Sequence, residues 1–218
     1  MVSAPPDRTV LSPSGDQTRA SPLIAGALCL ELCNTISRRY TDAPVERLPD
    51  YRALLSWAIT TGALDARTAA RLTTLAIHEP RSAARVLAAA HELRGAIHAV
   101  FLAAVEHEAP QPGAIALLDR HIRRSFAARR LMIGPSGVDW RWTEGDALMR
   151  PLWPVALSAA ELLTSPELTR VRECAGRAEG CGWLFLDSSR GSGRRWCAME
   201  VCGNRAKARR HYRQAQQR

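Results

Sequence analysis

The sequence predicts a mainly α-helical fold, in which a helical N-terminal domain with one small β-hairpin precedes a small C-terminal module. Apolar residues recur at helical spacing through most of residues 23–168, and the period changes to that of two short strands only around residues 131–142. From residue 169 onward the chain becomes rich in Arg and Cys and poor in aliphatic residues. We therefore divide it into a flexible tail (1–22), a helical domain (23–168) and a C-terminal module (169–218).

The helices are bounded by capping, proline or glycine signals. Asp50 and Asp65 are expected to cap the second and third helices, while Pro80 and Pro112 suit the first turns of the fourth and fifth. Ser165 is expected to cap a further short helix. The six main helices are expected over Leu23–Ser37, Tyr51–Thr61, Ala66–Ile77, Pro80–His107, Pro112–Arg129 and Pro151–Thr164. Two strands, Leu131–Ile133 and Val138–Trp142, are expected to form the hairpin before the last of these helices.

The composition is that of a globular protein, with 46% hydrophobic and 23% charged residues among 218. No stretch reaches the roughly 18 uninterrupted apolar residues that a membrane span needs. The Pro- and Ser-rich N-terminus lacks the basic region and apolar core of a secretory signal. We therefore expect a cytoplasmic protein without a membrane partner.

Positive charge is concentrated at the C-terminal end. Of the net charge of +9, residues 170–218 contribute +8, from 12 basic and 4 acidic residues. A segregated basic module is typical of a polyanion binder, most often of nucleic acid. A solvated tail that keeps the protein soluble is the alternative.

Four of the six cysteines lie in the same segment, at the spacing Cys174-x6-Cys181-x15-Cys197-x4-Cys202. Because the cytosol keeps thiols reduced, clustered cysteines in such a protein more often bind metal than form disulfides. Four thiolates suit tetrahedral Zn²⁺ and leave no open position for a substrate. The spacing therefore predicts one structural zinc ion, which would stabilise a segment too small to fold unaided. Four reduced structural cysteines are the alternative.

A hairpin and a helix are expected around these cysteines. Trp183–Leu186 is predicted to be a strand, followed by a loop that Asp187 orders and by a return strand at Arg194–Trp196. In the helix that follows, Asn204 is expected to cap the start, and Ala208, Tyr212 and Ala215 form a narrow seam expected to pack on the hairpin. The opposite half carries five cations expected to contact nucleic-acid phosphates: Arg205, Lys207, Arg209, Arg210 and Arg213. A frayed, soluble terminal helix is the alternative.

Three short motifs, Cys181-Gly-Trp-Leu-Phe-Leu-Asp187, Arg194-Arg-Trp-Cys-Ala-Met199 and Cys202-Gly-Asn-Arg-Ala-Lys207, closely resemble the CGNR zinc finger. The resemblance covers about residues 171–214. The segment from Cys29 to Arg39 is similar to the opening of the ABATE domain, which normally precedes this finger. The resemblance implies a small treble-clef-like finger, made of a β-hairpin and a C-terminal helix, with Cys174, Cys181, Cys197 and Cys202 as zinc ligands. It further implies a bacterial stress-related transcription regulator, whose N-terminal domain senses a ligand and whose finger binds DNA.

Other candidate sites lie in the helical domain. Cys29 and Cys33 share a helical face, but no nearby His completes a metal site, so we expect buried core cysteines. Asn34, inside an apolar helix, and Trp153 are candidates for ligand binding, with core packing as the alternative. His91 begins a zinc-protease-like motif, but Gly95 stands where the second His is required. We find no nucleophile and base at recognisable spacing and therefore expect no enzyme.

The sequence as a whole predicts a transcription regulator. Its zinc-stabilised basic module would bind DNA, and its helical domain would sense a ligand or form a homodimer, since DNA readers are often symmetric dimers. An RNA-binding or ribosome-associated zinc protein is the alternative.

Overall fold

The computed structural model describes residues 25–134, 137–143 and 147–216 and confirms a mainly helical protein with small antiparallel strand pairs. The tail expected over 1–22 lies outside the described residues. The helices are α1 (Leu28–Cys33), α2 (Tyr51–Thr60), α3 (Ala66–His78), α4 (Pro80–Glu106), α5 (Pro112–Ala127), α6 (Trp153–Leu163) and α7 (Asn204–Gln216). The strands pair as β1 (Ile36–Ser37) with β2 (Val45–Glu46), β3 (Arg129–Gly134) with β4 (Gly137–Trp142) and β5 (Val171–Glu173) with β6 (Leu184–Leu186).

Local signals place several helix starts correctly. The Asp50 carboxylate accepts a hydrogen bond from the Ala53 amide at 2.7 Å, and the Asp65 carboxylate accepts one from the Thr68 amide at 2.8 Å. Pro80 and Pro112 occupy the first turns of α4 and α5. Each device satisfies or removes an N–H group that the helix itself cannot bond.

Three predicted boundaries are wrong. The first helix covers only Leu28–Cys33, because Gly26 adopts a left-handed conformation (φ 81°) before it and the chain turns into β1 after it. Pro151 lies in a 3₁₀ helix (Ala147–Leu152), so α6 begins at Trp153. Ser165 does not cap: its hydroxyl donates to the Leu162 carbonyl, and the segment that follows is a 3₁₀ helix (Pro166–Arg170).

The central helix of the fold is α4, which contacts α1, α2, α3 and α5. Among the described residues it is the one helix long and apolar enough to cross a membrane, with a mean hydropathy of 1.3 over its most apolar window. Half of that window is buried inside the protein, which is typical of a core helix. The largest fully buried side chains around it include Leu30, Leu54, Trp57, Leu93, Ile97 and Phe101.

The C-terminal hairpin differs from its prediction. Trp183–Leu186 does contribute a strand, β6, but its partner is the upstream β5, and Arg194–Trp196 forms no strand. The two faces of this hairpin serve different clusters. Val171 and Leu184 join the core of the helical domain, while Phe185 packs against the cysteines.

Candidate metal centre and nucleic-acid interface

Four cysteine side chains from three segments converge at one point. Cys174 follows β5 and Cys181 precedes β6. Cys197 precedes a π-helical turn (Met199–Gly203), which contains Cys202 and runs directly into α7. Their four Sγ atoms all lie within 4.8 Å of one another. The Sγ atoms of Cys181 and Cys197 are 3.7 Å apart, and those of Cys197 and Cys202 are 3.6 Å apart.

These sulfur–sulfur distances fit a tetrahedral zinc site. With Zn–S bonds of about 2.3 Å, the edge of a regular tetrahedron is about 3.8 Å. Four thiols so close together cannot all ionise unless a cation is present, and the hydrogen bond to Cys174 raises the pKa of both Cys181 and Cys197. A divalent ion supplies the missing charge. The centre therefore holds one structural zinc ion, with all four positions taken by protein.

Backbone groups complete the centre. The amides of Gly176 and Cys197 each donate to the Cys174 sulfur at 3.4 Å. A Cβ at position 176 would lie 3.4 Å from the Cys202 sulfur and 3.5 Å from that of Cys174, so this backbone passes within van der Waals contact of two ligands. Such N–H···S bonds offset part of the negative charge of a four-thiolate site.

The loop before Cys197 is fixed by Asp187, as predicted. Its fully buried carboxylate accepts hydrogen bonds from the amide and hydroxyl of Ser189 and from the Arg194 amide. The bonds from Ser189 lower the pKa of this carboxyl. The Arg194 guanidinium lies 4.3 Å from the centre of the Phe185 ring and donates to the carbonyls of Trp196 and Cys197. Arg194 therefore orders the segment that carries the third ligand.

Helix α7 extends from the zinc centre, and none of its residues is buried. Its orientation differs from the predicted one: Tyr212 is 72% exposed, and Ala208 and Ala215 are exposed too. The half-buried positions are instead Ala206 and Arg209. The expected seam therefore faces solvent, because an ion pair rather than apolar packing holds the helix.

That ion pair joins Arg209 to Glu179, in the 3₁₀ helix between the first two ligands, at 2.6 Å. The remaining predicted contact residues differ from Arg209 in exposure; they are Arg205, Lys207, Arg210 and Arg213. All four of these side chains are exposed. Asn204 does not cap α7; its amide donates to the Glu200 carbonyl at 3.2 Å.

Comparison with known families agrees with this architecture. The model of the ABATE family, described as a putative stress-induced transcription regulator, matches residues 26–166. The chain belongs to the ABATE family. The CGNR zinc finger model follows it and matches residues 170–215, so both families are regulator and zinc-finger types and not enzymes. No curated protein matches the chain.

The ABATE region (26–166) and the finger (170–215) are joined by a network of buried polar contacts. Asn34 donates from its amide to the Leu184 carbonyl at 2.9 Å and accepts from the Leu184 amide at 3.1 Å. His98 Nε2 lies 3.1 Å from the Gly182 carbonyl, and the Trp183 indole donates to the Ile36 carbonyl at 2.9 Å. The two residues of each contact are 84 to 150 positions apart in the sequence, and the sequence analysis did not predict that they join the two regions.

Gly182 makes this junction possible. Its φ is 63°, and a Cβ there would lie 2.7 Å from a ring carbon of Tyr40. A side chain at this position would both strain the backbone and separate the finger from the ABATE region. The close approach of the two regions thus explains why position 182 is a glycine.

The two candidate ligand-binding residues of the ABATE region have internal contacts. Both ends of the Asn34 amide bind β6, and buried Trp153 stacks on Trp142 with ring centres 5.4 Å apart. Neither lines the groove of about 580 Å³ between α3, α4 and the 3₁₀ helix at Ala147–Leu152. That groove has an apolar floor, including Val86 and Met149, and carries Arg85 and Arg124.

Cys29 and Cys33 are fully buried core cysteines, as predicted. Burial raises the pKa of Cys29 to about 12 and that of Cys33 still further above its usual range. Both thiols therefore stay protonated and unreactive at neutral pH.

Proposed function

We propose that this ABATE protein is a transcription regulator whose α7 binds the phosphates of duplex DNA. The observation that carries the proposal is a helix with no buried residue and a row of cations, anchored at its start to a zinc centre. A helix that buries none of its residues contributes little to folding. Its cationic surface is thus available to a polyanion.

Four of the five predicted contact residues support this role. Among the residues that the structure describes, Arg205, Lys207, Arg210 and Arg213 form no ion pair with a carboxylate. Lys207, Ala208 and Tyr212 are also exposed. A small residue between cations lets a helix approach a groove closely, while the cations reach phosphates on its walls.

Arg209 has a different role in the proposal. Its guanidinium is held by Glu179, so it sets the angle at which α7 leaves the zinc centre. We assign it to positioning the helix and expect the remaining cations to supply most of the DNA affinity.

The test compares two triple variants of the full zinc-loaded chain. Arg205→Ala/Arg210→Ala/Arg213→Ala removes three cations from α7, and Arg52→Ala/Arg67→Ala/Arg81→Ala removes three exposed cations from α2, α3 and α4. Binding to a labelled duplex is measured by fluorescence anisotropy over a range of salt concentrations. We expect the α7 variant to lower the slope of log K against log salt by about 2–3, since each phosphate contact contributes roughly 0.9.

The control variant should keep the wild-type slope, and both variants should keep one zinc per chain. Equal affinity and slope for the α7 variant and the wild type would remove α7 from the interface. Unlabelled structured RNA, added as a competitor, separates DNA binding from the RNA-binding alternative: RNA that displaces the duplex at equal concentration favours the alternative.

We further propose that the protein is cytoplasmic, that its ABATE region senses a ligand and that the chain forms a homodimer. The groove beside Val86 and Met149 is the candidate site for a ligand. The contacts of Asn34, His98 and Trp183 provide a route by which a change in the ABATE region would reach the finger.

A further inference from the structure

The β3–β4 hairpin leaves large apolar side chains in solvent. Ile133 is 91% exposed, Val138 65%, Leu131 59% and Trp140 54%. The hairpin touches the rest of the protein mainly at its base, where Trp142 stacks on Trp153 and the Thr143 amide donates to the Ala128 carbonyl. Its outer part packs on none of the described elements.

The strand register places these four side chains on one face. Leu131 lies opposite Trp140, and Ile133 lies opposite Val138. Directly opposed residues of an antiparallel pair point to the same side, so the four form a continuous surface, here called the apolar ribbon face. The other side of the hairpin carries the pairs Arg130–Arg141 and Met132–Asp139.

An uncovered face of this kind is unusual in a folded monomer. A two-stranded hairpin is marginally stable by itself and needs a further layer over its apolar side. A contiguous exposed apolar patch is typical of a protein–protein interface. The chain thus presents a strand pair that lacks its covering layer.

We propose that a second copy of this chain covers the apolar ribbon face, so that the protein is a symmetric dimer joined through its β3–β4 hairpins. The distribution of charge allows two copies to meet at this face. The whole chain carries +9, which opposes self-association, but the charged residues of the hairpin's outer part lie on the other face. At the hairpin's base, Arg129 lies over the indoles of Trp140 and Trp142, 5.2 and 5.1 Å from their centres. Two copies can therefore meet at this face without opposing free charges.

The area agrees with a dimer contact. Side chains exposed to this extent offer roughly 400–500 Å² of apolar surface per copy. A stable interface buries about 800 Å² per partner, with an apolar centre and a polar rim. The apolar ribbon face would form that centre, and a two-fold axis would place Ile133 of each copy against the same face of the other.

This inference names the surface for the self-association in the proposed function, and its test needs no DNA. Loss of dimerisation would leave the phosphate contacts of α7 to be judged by their own salt dependence. The two proposals can therefore fail separately.

The experiment is sedimentation equilibrium of the full zinc-loaded chain at up to about 100 µM in about 0.5 M NaCl, where contacts between charges are screened. The wild type should sediment at twice the mass of the chain. Ile133→Glu should weaken the dimer at least about tenfold, because a two-fold axis brings two unpaired carboxylates into the buried centre. Met132→Glu, on the opposite face and 53% exposed, is the matched control and should leave the dimer unchanged.

Both positions are exposed, so neither variant should alter zinc content or far-UV circular dichroism. A wild-type chain that stays monomeric overturns the proposal. If that monomer co-sediments with phosphatidylcholine vesicles in a separate assay, the apolar ribbon face binds lipid and not a second copy. Equal dimer affinities for Ile133→Glu and Met132→Glu would likewise exclude the apolar ribbon face.

Discussion

The ABATE region and the zinc finger are stabilised by different forces, although the β5–β6 pair of the finger packs on both clusters. In the ABATE region, large side chains such as Trp57, Phe101 and Ile97 are fully buried around α4. In the finger, the buried apolar cluster consists of Trp183, Phe185 and three cysteines that bind zinc. One region folds by removing hydrocarbon from water, and the other folds by coordinating a cation.

This difference has consequences for function. A metal-stabilised module needs few large side chains, so most of its surface is free to carry charge. The finger uses that freedom for α7, which buries nothing and presents cations to solvent. The hydrophobic region, in contrast, has the volume for a groove and a rigid surface on which the finger docks.

Removing the metal should have the largest effect, and that effect should be confined to the finger. Cys181→Ser deletes one ligand, and we expect loss of zinc, loss of ordered structure around Trp183 and Trp196, and retention of most of the far-UV helical signal. The zinc contribution is about 10–16 kcal/mol in isolated finger peptides near neutral pH. Metal content by mass spectrometry and tryptophan fluorescence provide the measurement.

The converse variant is Phe101→Ala, in the centre of α4. It should cost about 3–5 kcal/mol of unfolding free energy, because a large buried side chain leaves a cavity. Zinc content at room temperature should not change. If Cys181→Ser instead abolished the helical signal as well, the two regions would depend on one force and the comparison would be wrong.

The metal site could be predicted from the sequence because its determinants are local. All four ligands lie between residues 174 and 202, and their spacing, together with the resemblance to the CGNR zinc finger, predicts tetrahedral thiolate coordination. The caps Asp50 and Asp65 were predictable for the same reason, since each bonds an amide three residues away. The mainly helical class followed from apolar periodicity.

What the sequence could not provide are contacts between distant segments. Nothing local shows that Asn34 binds Leu184, that β5 rather than residues 194–196 pairs with β6, or that Arg209 pairs with Glu179. The periodicity of α7 predicted that Ala208, Tyr212 and Ala215 pack on the finger, but these residues are exposed. The polar Asn34, which ends the apolar helix Leu28–Cys33, was the one available signal for the junction.

A third variant tests how much the junction between the two regions contributes to stability. Asn34→Ala removes both side-chain bonds to β6 and leaves the Leu184 amide and carbonyl buried without these partners. We expect a loss of about 2–4 kcal/mol, since each unsatisfied buried group costs about 1–3 kcal/mol. Urea unfolding followed by circular dichroism measures it.

Zinc content should stay at one per chain, because no ligand is touched. Thr60→Ala is the control: it removes an exposed hydroxyl bonded to the Ser56 carbonyl and should change stability by less than about 0.5 kcal/mol. An Asn34→Ala variant as stable as this control would mean that the finger docks through other contacts.

The smallest expected effect is a pH dependence of stability that arises from His98, at the junction between the two regions. Burial, and then the nearby Arg39 cation, lower the pKa of His98 to about 4. The neutral ring carries its proton on Nε2 to donate to the Gly182 carbonyl. Because the unfolded chain binds this proton at a pKa of about 6.5, stability is lost as pH falls from about 6.5 towards 4. Between pH 7 and 5 the expected loss from this group is about 2 kcal/mol.

His98→Gln keeps a donor near the same carbonyl but does not titrate, so the difference between the two proteins isolates the ring. Glu31 acts in the opposite direction, since burial raises its pKa to about 7, but it is present in both proteins and cancels. The measurement is urea unfolding at pH 7 and 5. If both proteins lost the same stability over this range, His98 would not stay neutral in the junction. The finger would then be held to the ABATE region by Asn34 and Trp183 without a contribution that depends on pH.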